Sequence, residues 1–327
     1  AEATGPYLVL LGWSMVPMLF LTASRNFSEA LGRPWPPFWI LIASVTLNAL
    51  LNWVFIYGAL GAPAMGLNGA GLATLLARLA AALALIVYVR RHALYRPFLH
   101  RFRLRQLRWR HIAQLLTIGL PVGLQLLCEI GAFGFCTIMI GWLSANALAA
   151  HQIAITCAAT TFMVPLGLAM AVTVRVGHAV GAREFKRIRT ISFGAVAMAL
   201  LVMGCSGVLF LLARNAIPAL FIDNAEVAGL AAVLLAIAAL FQLFDGAQVV
   251  ELGALRGFED VRWPMAALIA AYWAVAIPLG AWLAFGRGHG VAGIWWGLAA
   301  GLALVAIVLA VRLLLLTRNA ALAARLA

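Results

Sequence analysis

The chain has 327 residues, 65% of them hydrophobic and only 10% charged, with a formal net charge of +13, and its mean hydropathy is +1.03. This composition excludes a water-soluble globular domain and describes an integral membrane protein. The basic residues fall in short connectors between apolar runs, which leaves no basic domain to bind nucleic acid, so the charge reads as a topology signal.

Crossing the ~30 Å hydrocarbon core takes a helix of ~20 apolar residues, and hydropathy with Gly/Pro punctuation predicts nine such spans. The first, 6–24, contains Pro17 and ends at Arg25 and Phe27; the second and third cover 36–58 and 66–90, separated by "GAPAMGLNG". Arg78 falls inside the third and reads as a snorkelling or internally paired side chain. The fourth span, 112–142, carries Pro121, Gln125 and Glu129, and the fifth, 149–174, begins at His151 and Gln152 and contains Pro165. His151 reads as a hydrogen-bonded anchor at the outer interface. The sixth covers 187–213 and the seventh 226–254, where "LFQLFDGAQVVELGALRG" carries Gln242, Asp245, Gln248 and Glu251. The eighth and ninth are 263–285, with Pro278, and 291–316. Pro17, Pro121, Pro165, Pro218 and Pro278 interrupt or border spans and are expected at hinges or cavity walls. The fourth and seventh are long enough to tilt, bend or project from the bilayer. Gly131, Gly134, Gly167 and Gly297 are expected at close helix contacts, and Cys128, Cys136, Cys157 and Cys205 lie in apolar segments without metal-ligand spacing, as small buried hydrophobes.

Of the 23 Lys and Arg residues, 20 lie in the connectors on one side and two, Arg214 and Arg287, on the other. The positive-inside rule then places the C-terminus in the cytoplasm. With nine spans, Ala1 emerges outside, and neither Met nor a signal sequence precedes it. An internal repeat relieves this awkwardness. The first three spans are echoed by the last three: Arg25 and Phe27 by Arg256 and Phe258, and Gly66 and Gly69 by Gly290 and Gly293, just before the third helix of each copy. Three unpaired spans lie between the copies. The expected organisation is therefore an all-α membrane protein with nine transmembrane helices out of a two-lobed, twelve-helix transporter with pseudo-symmetric six-helix halves, three N-terminal helices being absent. Residues 1–92 form the C-terminal half of the first lobe, 93–111 a basic cytoplasmic inter-lobe loop, 112–317 the complete second lobe and 318–327 a cytoplasmic tail.

A charge at the centre of a span costs at least ~2.5–3.5 kcal/mol, so it marks a functional position by default. Glu129 lies near the middle of its span, one turn after Gln125, and Asp245 is flanked at i−3 and i+3 by Gln242 and Gln248. Glu129 and Asp245 therefore read as a cation or proton site, because membrane-buried carboxylates can exchange a proton for another cation. Glu251 shares the face of Gln248 but lies nearer the cytoplasmic end, where water is expected to reach it. No GxxxxGK[ST] loop, Ser/His/Asp set, HExxH or paired-Cys motif is present. Neither an enzyme nor a cofactor is expected; the energy is expected to come from an ion gradient or from a partner.

The segments "GLPVGLQLLCEIGAFGFCTIMIGWL", "ALAAHQIAITCAATTFMVPLGLAMAVTVRVGHAVGA" and "FDGAQVVELGALRGFEDVRWPM", with "SRNFSEALGRPWP" nearer the start, resemble the multidrug and toxic compound extrusion (MATE) family, in particular its bacterial NorM-type branch. The resemblance covers nearly the whole chain and corresponds to family helices four to twelve. It implies secondary active export of amphipathic, often cationic drugs and dyes in exchange for Na⁺ or H⁺, by a monomer in the bacterial inner membrane. It also implies cation coupling at Glu129 and Asp245, which would hold the sodium ion where sodium is used. Substrate contacts would map onto Gln152 and Asp223, and the polar stripes add Gln125 and Gln248 to the substrate cavity. Two departures stand out: Asn224 where some relatives carry a second acid, and Phe241 where some carry a tyrosine. Two alternatives remain at this level. A flippase for lipid-linked precursors would expose a broad basic cavity, and a fragment lacking one wall of the central cavity would transport nothing.

Overall fold

The computed structural model describes residues 4–61, 63–99 and 109–318. The chain divides into two compact units, residues 1–108 and 109–327. Among the described residues the regular structure is helical, and nine helices are long and apolar enough to cross a membrane. These are α1 (Thr4–Ala30), α2 (Trp35–Tyr57), α3 (Leu67–Arg91), α4 (Trp109–Gly141), α5 (Ala145–Gly181), α6 (Phe185–Ala213), α7 (Ala225–Gly257), α8 (Arg262–Gly286) and α9 (Gly290–Leu316). The centre of the basic connector, 100–108, and the tail from 319 lie outside the described residues.

Two helices outrun the spans read from hydropathy. Helix α1 continues past residue 24 to Ala30, and Arg25 Nε meets Glu29 Oε1 at 2.6 Å one turn on; the turn that follows uses Gly32 at φ +74°. Helix α5 continues past residue 174 to Gly181. Hydropathy falls where a helix leaves hydrocarbon, whereas backbone hydrogen bonding carries on wherever side chains tolerate the helix. At its other end α5 starts from Ser144, whose hydroxyl accepts the Ala147 N–H at 3.0 Å, and α7 starts from Asn224, which caps the N–H groups of Glu226 and Val227. These caps satisfy donors that the first turn leaves without helical partners.

In the first unit α3 packs against both α1 and α2. Its contact surface is small, with Ala73, Ala77, Ala81, Ala82 and Leu85 buried, which lets helix axes approach closely where lipid supplies no hydrophobic drive. Arg78 is internally paired: its guanidinium donates to Ser14 Oγ on α1 at 2.7 Å.

In the second unit α7 is the central helix and packs against α5, α6 and α9. The axes come close enough that a Cβ at Gly253 would stand 2.5 Å from the Ala169 carbonyl oxygen of α5, and one at Gly207 of α6 would stand 2.7 Å from the Ala239 carbonyl oxygen of α7. Gly297 is likewise a close contact, its missing Cβ 2.4 Å from Gly280 Cα, whereas Gly131 only reaches Trp273 at 3.5 Å. Gly134 and Gly167 have nothing within 4 Å, so at these two the expected close contact is absent. Pro17, Pro121 and Pro165 sit inside continuous helices, and Pro218 lies in a one-turn helix, Ala216–Ala219. At Pro278 the helix does change: α8 widens to a π-helix over Ala270–Ala276. Pro278 has no N–H to return to the preceding turn and its ring crowds that turn, a conflict that a wider turn relieves.

The repeat has a structural counterpart. Gly66 and Gly290, at the starts of α3 and α9, have φ of +53° and +57°, a region that residues with a Cβ rarely occupy. Three residues on, a Cβ at Gly69 would meet the Phe55 carbonyl oxygen at 2.5 Å, and one at Gly293 would meet Ala284 N at 2.6 Å. In both copies the third helix is therefore locked by backbone contact onto the end of the second.

Candidate functional site

The candidate site lies in the second unit, where α4, α7 and α8 meet. Glu129 projects from α4, and Gln248 of α7 donates from Nε2 to Glu129 Oε1 at 3.2 Å. Tyr272, on the widened turn of α8, donates its hydroxyl proton to Gln248 Oε1 at 3.4 Å. Tyr272 and Gln248 are fully buried, and Glu129 is half-buried. Asp245, one turn before Gln248 on α7, is 7% exposed and close enough to Glu129 for the two carboxylates to act on each other electrostatically. Next to Glu129, Trp273 Nε1 of α8 donates to the Cys128 carbonyl at 3.2 Å, tying α8 to α4. Two acids, an amide and a phenol thus converge in a setting where charge is weakly screened and interaction between charges is strong.

The remaining expected residues separate. Gln125, one turn before Glu129 on α4, is 2% exposed. With Gln248 fully buried, both amides are enclosed by helices in this conformation, and neither lines the groove of about 720 Å³ formed by His111, Gln114, Glu259, Asp260 and Arg262. Gln152 and Asp223 are exposed near the far ends of α5 and α7, and neither side chain is hydrogen-bonded to Glu129 or Asp245. The departure at Asn224 has a local reason, since this residue caps α7. At the other departure, Phe241 packs its ring edge-on to Phe133 and against Trp295, so the phenol nearest the acids is that of Tyr272.

His151 is hydrogen-bonded, as expected of an anchor, and is 1% exposed. Trp295 Nε1 of α9 donates to its Nδ1 at 3.2 Å, which makes Nδ1 an acceptor and leaves Nε2–H to donate to Thr137 Oγ1 of α4 at 3.0 Å. Thr137 passes its own proton to the Phe133 carbonyl at 3.0 Å. The ring is therefore a neutral clamp joining α4, α5 and α9, with its tautomer set by its partners. Glu251 corrects the sequence reading: it is 3% exposed and so enclosed by neighbouring helices rather than open to water.

The role of Tyr272, and the identity of the His151 partners Thr137 and Trp295, are not legible in the sequence. Periodicity assigns faces within one helix and is silent on which face of another helix meets it; the single hint at Tyr272 was Pro278 six residues downstream.

Comparison with known proteins gives a consistent result. The MatE family model matches residues 121–282, which include Glu129, Asp245 and Tyr272. The chain is 39% identical over 320 residues to a probable multidrug resistance protein NorM of Bradyrhizobium diazoefficiens, covering 96% of this chain and 68% of that protein. It is 41% identical over 321 residues to the probable multidrug resistance protein NorM of Mesorhizobium japonicum, covering 95% and 68%. Among solved structures it superposes on a eukaryotic MATE transporter with a TM-score of 0.88 at 20% identity, covering 98% of this chain and 70% of that one.

Proposed function

The chain belongs to the MATE family of multidrug transporters, and from that premise we propose that it works as a secondary active efflux antiporter of the bacterial inner membrane. It exports amphipathic, often cationic drugs in exchange for Na⁺ or H⁺, with its C-terminus in the cytoplasm. The observation that supports this best is the pair of acids, Glu129 on α4 and Asp245 on α7, within electrostatic range of each other and bridged at Glu129 by Gln248. Two carboxylates cannot both stay charged at short range in a poorly screened interior without a counter-ion. A cation or proton entering between them relieves that repulsion, and a cationic substrate in the same lobe competes for the same negative field. Coupling is then the difference in cation affinity between the substrate-free and substrate-loaded states.

Tyr272 and Gln248 serve as supports. By donating to Oε1 of Glu129, Gln248 holds the carboxylate in place on α4. Gln125, Gln152, Asp223 and Gln248 contribute to the substrate route when the lobes rearrange. Acidic intramembrane residues in the second unit favour a cationic cargo over the phosphate-bearing cargo of a lipid flippase. In the full chain, a Glu129→Gln, Asp245→Asn double variant is expected to fold and to lose cation-driven dye efflux. Wild-type efflux by that variant would overturn the assignment.

A further inference from the structure

Glu251 has no role in the site just described. It lies on α7 two steps of three residues beyond Asp245, about 9 Å along the helix axis, toward the end that carries Arg256 and Arg262. It is 3% exposed, and its Oε2 has no hydrogen-bond partner. It takes part in none of the three ion pairs seen among the described residues, Arg25–Glu29, Arg187–Glu184 and Arg312–Asp260. Five residues on, Arg256 Nε is also buried without a partner, so the two do not satisfy each other. An uncompensated buried carboxylate costs several kcal/mol, and a purely structural position would be filled more stably by an apolar side chain. An acid retained there without a partner is a site for a ligand that enters and leaves.

We propose that Glu251 is an inner proton station, placed between the Glu129/Asp245 pair and the arginine-rich end of the second unit. One carboxylate suffices for a proton, whereas a sodium ion needs several oxygens, and among the described residues no cluster of three His, Cys, Asp or Glu side chains could hold a metal ion. In the step proposed, an O–H bond on the Glu129/Asp245 pair breaks and leaves a carboxylate. The proton passes through water admitted when this end opens, and a new O–H bond forms on Glu251. That bond then breaks in turn, and the proton leaves as hydronium on the arginine-rich side. The polar stripe Asp245, Gln248, Glu251 sets the direction. This inference rests on the reading of Glu129 and Asp245 as the coupling pair and makes the proton the ion on the inner leg.

The test uses the full chain in proteoliposomes, with dye efflux driven by a pH gradient, and compares Glu251→Gln with Glu251→Met. Both replacements match the side chain in volume, and neither leaves a buried charge. The expected result for each is a wild-type melting profile, an unchanged apparent affinity for the driving ion and turnover reduced roughly tenfold or more, in the range of a lost proton-transfer group. Wild-type turnover by either variant overturns the proposal. Should neither variant fold, infrared difference spectra of the Glu129→Gln, Asp245→Asn protein decide: a protonated carboxyl band that changes on dye addition supports it, and no change overturns it. The two readings fail separately. Normal efflux in the double variant sinks the coupling pair, whereas a dead double variant with a normal Glu251→Gln sinks the inner station alone.

Discussion

Helices α1 and α7 hold corresponding places in the two copies of the repeat and have opposite characters. Helix α1 carries exposed large side chains that include Trp13, Leu19 and Phe20, and its buried polar side chains do not include an intramembrane acid. Helix α7 is enclosed by α5, α6 and α9 and buries Gln242, Asp245, Gln248 and Glu251. In the register that aligns Arg25 and Phe27 with Arg256 and Phe258, Ser14 holds the place of Asp245. In unit 1 the buried polar atom is a hydroxyl that receives the Arg78 guanidinium; in unit 2 it is a carboxylate acting on another carboxylate. Yet the glycine pairs at 66 and 290 and at 69 and 293 shape the third helices alike. The repeat is thus a packing unit, and of its two copies the second carries the buried acids Asp245 and Glu251.

That contrast can be broken most severely by making unit 2 resemble unit 1. Asp245→Ser is expected to lower cation-driven dye efflux by about 100-fold, the scale of a lost essential group, whereas Ser14→Ala leaves efflux intact and costs only about 1 kcal/mol of stability through the lost hydrogen bond. Efflux assays with thermal unfolding in detergent separate the two. Next in size, Gly69→Ala and Gly293→Ala should each destabilise by roughly 1–3 kcal/mol, because a methyl must enter a backbone contact. Gly167→Ala, with open space around it, should melt as wild type. A large difference between the Gly69 and Gly293 variants would undo the equivalence of the copies. His151→Ala removes a clamp found only in unit 2 and is expected to cost about 1–3 kcal/mol by orphaning the Trp295 indole N–H, with the cation dependence of efflux unchanged; a changed dependence would make His151 part of coupling. The smallest effect is expected from Arg78→Met, below about 1 kcal/mol, because methionine preserves the apolar stem and the guanidinium makes a single hydrogen bond at a half-buried site.

Most of the fold was legible from hydropathy because the membrane imposes one length and one solvent on every span. The ends of α1 and α5 were not, since helix hydrogen bonds ignore the membrane boundary. The acids at 129 and 245 stood out because few charges survive in such segments, and polar neighbours at i±3 and i−4 gave their faces. Burial was harder to read. Glu251 is expected to be accessible from its distance along the helix, and only the packed structure shows that it is enclosed, at 3% exposure. The partners of Gln248 are likewise not readable from its face: its amide is engaged by Glu129 and Tyr272. What a neighbouring helix covers or engages is encoded by no single-helix pattern.

The central claim is that Glu129 and Asp245 act as one site, and a double-mutant cycle tests it most directly. Cation-driven efflux would be measured for Glu129→Gln, Asp245→Asn and the combination, each checked for wild-type folding. One shared site predicts that each single change costs about 100-fold and that the combination costs little more, the non-additive pattern of groups that work as a unit. Losses that multiply in the combination, or efflux that survives either single change, would contradict it.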